Sequence, residues 1–105
     1  MIETLILKKA RELISDPDRW TKGEMARTMF GASVSANDSK ATCWCVMGAI
    51  HHETKDDPFL AGSVYQMVRA QLQGRSVSEF NDDPNTTHEA VMTLLDKAIA
   101  STPCI

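Results

Sequence analysis

The sequence predicts a mainly α fold: a compact bundle of about four helices, with a short β-hairpin between helices 1 and 2. Three observations predict it. Apolar residues recur at helical spacing in separate segments along the chain. Helix starters and stoppers punctuate those segments, most clearly Asp57-Pro58 and Thr86-Thr87-His88-Glu89. Strand-like alternation is confined to residues 20–37. A length of 105 residues suits one domain, 1–105, with a hydrophobic core of its own.

Helix 1 is expected over residues 2–15, with Ile2, Leu5, Ile6, Ala10, Leu13 and Ile14 on one face. Pro17 disfavours helical geometry at Asp16 and stops it. Gly23 to Met29 alternates, Phe30-Gly31-Ala32-Ser33 offers a turn, and Ser33-Val34-Ser35 can pair back. Two strands alone are marginal, so the hairpin needs something to lie on, and Trp20 and Trp44 are the largest surfaces available. Helix 2 is expected to start at Asp38 or Thr42 and run to about His52. Helix 3 starts with the Asp57 cap and Pro58, buries Ala61, Val64, Tyr65, Val68 and Leu72, and ends at Gly74. A loop over Gly74–Asn85 follows. Thr86 and Glu89 match a capping box for helix 4, which carries Ala90, Val91, Leu94, Leu95, Ala98 and Ile99 on its apolar face and stops at Pro103.

Bulk properties remove several function classes. With 11 Lys and Arg against 14 Asp and Glu, the net charge is −3 and no basic stripe exists. Nucleic acid and anionic membranes are therefore not expected partners. No apolar run reaches the length of a membrane span, and charges interrupt Met1–Ile14 as no signal peptide allows. A cytoplasmic location follows as the expectation. The three cysteines are an odd number, and Cys43 and Cys45 stand too close to bridge, so reduced thiols are expected. The five glycines are scattered, with no phosphate-cradling loop, and the Asp pairs lack calcium-loop spacing. No cofactor and no metal is expected.

Two stretches hold most of the side chains that could do chemistry: Thr42–His52 and Phe80–Glu89. The first is apolar all round from Cys43 to Ile50, as a helix at the centre of a bundle is. Cys45, Gly48 and Ala49 form a stripe on which a neighbouring helix could pack closely, which explains a glycine that costs about 1 kcal/mol of helix propensity. A catalytic alternative makes Cys45 or Cys43 a nucleophile in the first helical turn, where the helix dipole favours a thiolate. His88 would take its proton, with Asn81 or Asp82 orienting the imidazole. A zinc site drawn from Cys43, Cys45, His51, His52 and His88 fails on spacing. In the second stretch, Asn81 and Asp82 can pin the loop through backbone amides or present a binding surface.

Cys43-Trp44 resembles the Cys-Trp pair of papain-like proteases, but over two residues only, in a shorter chain with too little strand to supply the histidine. A broader resemblance covers most of the chain. Lys9-Ala10, Asp16-Pro17 with Trp20, Trp44-Cys45 with Gly48-Ala49, Phe80-Asn81-Asp82, Thr87-His88 with Val91, and Leu95 to Ile99 occur here in that order. They resemble a family of small bacterial and phage proteins of unknown function. The resemblance implies a bacterial or phage origin and a compact helical domain, and supplies no catalytic residue. The function expected is a non-enzymatic, protein-binding one. Its contacts would be Asn81, Asp82, His88 and the exposed part of the hairpin, and its partner a host factor if the chain is phage-borne. The rival is a cysteine-dependent hydrolase or transferase pairing Cys45 or Cys43 with His88. Self-association through the acidic or hairpin surface is a third expectation.

Overall fold

A computed structural model of the chain describes residues 2–101. The described residues form five helices and a small three-stranded antiparallel sheet, so the architecture is mixed α and β and not a four-helix bundle alone. In chain order the elements are α1 (Ile2–Leu13), a 3-10 turn (Pro17–Arg19), β1 (Ala26–Thr28), β2 (Ser33–Val34), β3 (Ala41–Trp44), α2 (Val46–Thr54), α3 (Pro58–Arg69), α4 (Val77–Asp82) and α5 (His88–Ala100). Pro103, expected to stop the last helix, lies outside the described residues, as does Cys104.

The hairpin forms where the alternation places it, with Ala26 opposite Val34 and Arg27 opposite Ser33. Its turn closes by a bond from Gly31 N–H to the Thr28 carbonyl, and Gly31 takes the positive φ of +83° that the turn requires. A third strand, β3, pairs on the other side of β1, giving the order β2-β1-β3. The expected start of helix 2 at Asp38 or Thr42 is thereby displaced. Asp38 holds a turn, accepting from Lys40 N–H, and residues 41–44 are extended. Thr, Cys and Trp suit a half-buried pleated surface better than a helical first turn, and β1 gives them a ladder to join. Trp44 is thus part of the sheet, with its indole N–H donated to the Ala36 carbonyl at 2.9 Å.

α2 begins only at Val46, with Cys45 as its extended N-cap. It buries Val46, Gly48, Ala49, Ile50 and Thr54 and packs on α1, α3 and α4, the central place its apolar character predicts. α1 turns a slightly different face inward than expected. Leu7, Ile6, Ala10 and Ile14 are buried, while Ile2 and Leu5 are exposed. α3 buries Ala61, Val64 and Val68 and ends at Arg69. A turn carries the chain on, and Gln73 and Gly74 supply positive φ. The loop expected over Gly74–Asn85 contains α4, capped by Ser76 Oγ accepting from Glu79 N–H. The cap of α5 is Thr87, one residue later than expected, and it accepts from Ala90 N–H. Thr86 lies in the preceding turn, its N–H donated to the Asp83 carbonyl, so it is not available for the reciprocal bond from Glu89. The Arg11 guanidinium of α1 grips the Asp96 carboxylate of α5 with two nitrogens. Among the described residues no helix is long and apolar enough to cross a membrane.

Candidate functional site

The two chemically dense stretches do meet, and Asn81 is where they meet. It lies on the inner side of α4, and its side chain is almost completely buried, at 1% exposure. Its Oδ1 accepts from the Trp20 indole N–H at 2.8 Å and from Val46 N–H at 3.1 Å. Its Nδ2 donates to the Thr21 carbonyl at 3.1 Å and to Asp82 Oδ1 at 2.9 Å. An amide side chain has two acceptor and two donor positions, so all four are in use. Asn81 ties α4 to the first turn of α2 and to the segment entering the sheet. Nothing of it is left to offer a partner, which removes it from the expected contact surface.

Asp82 completes the junction from outside. Its Oδ1 also accepts from Gly23 N–H at 2.8 Å, while the residue itself stays exposed. Lys22 donates to the Asp83 carbonyl at 2.7 Å and lies over the Trp20 ring. Asp83 takes an N–H from Asn85 and a charged bond from Arg75, which together hold its carboxyl below the usual range. The segment from Trp20 to Gly23 is thus held to α4 at several points.

Cys45 stands beside this junction. Its Sγ caps α2, accepting from Gly48 N–H at 3.2 Å, and a cavity of about 230 Å³ next to it is lined by Met25, Met47, Ser78, Asn81 and Asp82 among others. The cavity gathers three of the expected catalytic residues, Cys45, Asn81 and Asp82, but not the fourth. Burial is the main force on the thiol and pushes its pKa up. The Asp82 carboxylate pushes the same way, and the amide bond to Gly48 opposes both without winning. A nucleophilic cysteine needs the opposite environment.

His88 serves elsewhere. Its Nε2 lies 2.7 Å from the Ile14 carbonyl, so that nitrogen carries the proton and donates it, fixing the tautomer. Its ring tilts against Trp20, with centroids 5.9 Å apart. Among the described residues no hydrogen bond joins His88 to Cys43 or Cys45, and the indole of Trp20 is what connects it to Asn81. Cys43 sits on β3, half-buried opposite Arg27, and not in a helical first turn. His51 faces Asp56, and His52 donates Nδ1–H to the Ala36 carbonyl. No group of three or more metal-ligating side chains converges among the described residues.

One feature had no place in the expected site, and one expected surface takes a definite form. The first is the partner set of Asn81. Ser76-Val77-Ser78-Glu79 is itself a capping-box sequence and marks the helix that carries Asn81 inward. The second is the exposed part of the hairpin, which is its tip. Met29 and Phe30 are 75% and 88% exposed, and no residue from Thr28 to Asn37 carries a charge.

A family model, described as a family of unknown function (DUF6197), matches residues 3–101 of the chain. No curated protein and no solved structure matches it.

Proposed function

The chain belongs to this family of unknown function, and from that premise we propose that it acts by binding another protein, without catalysis, through its β1–β2 hairpin. The observation that carries this reading is the exposure of Met29 and Phe30 side by side at the hairpin tip. Two large apolar side chains in water on a rigid turn are a cost with no structural return here, and such groups are the usual anchors of protein interfaces. The sheet behind them is fixed. Arg27 spans the base of the hairpin, donating to Thr21 Oγ1 and to the carbonyls of Lys22 and Gly31. The tip is presented, not loosely dangling, and little ordering entropy is lost on binding.

The hydrolase alternative asks for a thiolate and a free imidazole beside it. Cys45 has its pKa raised, and among the described residues no hydrogen bond brings His88 to it, the imidazole lying against Trp20 instead. Affinity capture from the native host with a tagged chain tests the binding reading. Replacing Met29 and Phe30 together by serine is expected to weaken partner binding about tenfold or more, with the unfolding midpoint unchanged within error. Equal capture by the double variant overturns the assignment to the hairpin.

A further inference from the structure

On the protein-binding reading, the groove beside the hairpin specifies what kind of segment the partner supplies. The groove encloses about 600 Å³ between the hairpin and the end of α2, and Glu24, Met25, Val34, Ala36, His51 and Asp56 are among its lining residues. One wall follows the chain from Ser33 to Ala36, and β2 is one of the two outer strands of the sheet. A segment lying along that wall is therefore extended, the form in which peptides are taken up beside sheet edges.

The charge in the groove is acidic and uncompensated. Glu24 accepts only a neutral hydroxyl bond from Ser33 at 2.9 Å, and Asp56 a neutral amide bond from Asn37 at 2.6 Å. The one ionisable donor near either is His51, whose Nδ1 lies 3.6 Å from Asp56 Oδ1. Among the described residues neither carboxylate has a lysine or arginine within ion-pair distance. Asp96 and Asp83, by contrast, each hold an arginine. Two carboxylates lining one groove together with apolar Met25 and Val34 match a long side chain with an aliphatic stem and a cationic head.

We propose that this groove binds an extended segment of another protein bearing a lysine or arginine, its stem on Met25 and Val34 and its charge at Glu24 and Asp56.

The test uses a pool of blocked pentapeptides with a central lysine and mixed valine, isoleucine and threonine flanks. A matched pool with central glutamate and spermidine, a small cation, are the comparisons. Binding is read from backbone amide shifts of the full chain. The lysine pool is expected to move Glu24, Ser33 to Ala36, His51 and Asp56, and the glutamate pool to leave them unmoved. Substitution by Glu24→Gln with Asp56→Asn should weaken lysine-pool binding about tenfold, as expected of two exposed ion pairs acting on one charge, and raised salt should weaken it further. Equal response to both pools, binding that survives the double substitution, or spermidine binding as tight as the peptides each overturn the proposal. So does concentration-dependent dimerisation in sedimentation that shifts these same amides, since the occupant is then a second copy of the chain. If the lysine pool fails while serine at Met29 and Phe30 abolishes partner capture, this inference falls and the hairpin-binding reading stands.

Discussion

Replacing Asn81 by alanine is expected to cost about 3 kcal/mol or more of folding stability, seen as a fall of roughly 15 °C in the unfolding midpoint. The size follows from what is orphaned. The Trp20 indole N–H, Val46 N–H and the Thr21 carbonyl all lose their side-chain partner at once. Val46 is fully buried and Trp20 and Thr21 half-buried, which hinders replacement by water, and a buried group without a partner costs about 1–3 kcal/mol. The isosteric change Asn81→Asp is expected to be nearly as damaging. The carboxylate still accepts from Trp20 and Val46, but it cannot donate to Thr21 and it puts a charge against Asp82. Asp82→Asn, at an exposed position whose Oδ1 still accepts from Gly23, should stay within about 1 kcal/mol. Chemical unfolding of the three variants checks the ranking. A cost below about 1 kcal/mol for Asn81→Ala, less than one orphaned group should bring, contradicts the place given to this junction.

Gly48→Ala is expected to destabilise by about 3 kcal/mol, although alanine is the better helix former by about 1 kcal/mol. A Cβ at position 48 would stand 1.8 Å from the Met25 carbonyl oxygen and 2.8 Å from its carbon. Those are backbone atoms, and the same carbonyl accepts the Cys45 N–H at 3.2 Å. Relief therefore requires parting α2 from the start of β1, which breaks the link between the sheet and the central helix. The reversed sign makes the measurement decisive: a neutral or stabilising Gly48→Ala would mean that the helix does not approach Met25 so closely. The close neighbour that the Cys45–Gly48–Ala49 stripe predicts is real, but it is a strand entrance and not another helix.

Helical periodicity carries most of the legible fold, because α3 and α5 keep regular apolar spacing between clear caps. Residues 41–44 defeat it for a physical reason. Thr-Cys-Trp-Cys is equally compatible with a helix entrance and a strand, and only the pairing of Ala26 with Trp44 decides between them. α4 is hidden by its length of six residues, too short for periodicity to register, although Ser76 and Glu79 announce its start. The candidate site is legible as composition and misleading as chemistry. Asn81 draws attention for the polarity that makes it useful, yet which groups it bonds is a matter of tertiary geometry. His88 and Cys45 stand in the same two stretches and turn to different partners.

The hairpin gains its meaning from this arrangement. Asn81, Asp82 and Lys22 fix the segment from Trp20 to Gly23 against α4, and Met25 is held at the N-terminus of α2. The strands that follow are anchored at their base, while Met29 and Phe30 project from the far end. The dense stretches serve as the mounting, and on the proposed reading the hairpin, uncharged from Thr28 onward, is the part that binds.

The most direct test of that division is the rate of Cys45 alkylation by iodoacetamide against pH, in the folded chain with Cys43 and Cys104 replaced by alanine. A structural Cys45 reacts more slowly than a free thiol at neutral pH, titrates above the ordinary thiol value, and does not change on His88→Ala. Rapid reaction near neutral pH that His88→Ala abolishes would contradict that division, and would return the junction to catalysis.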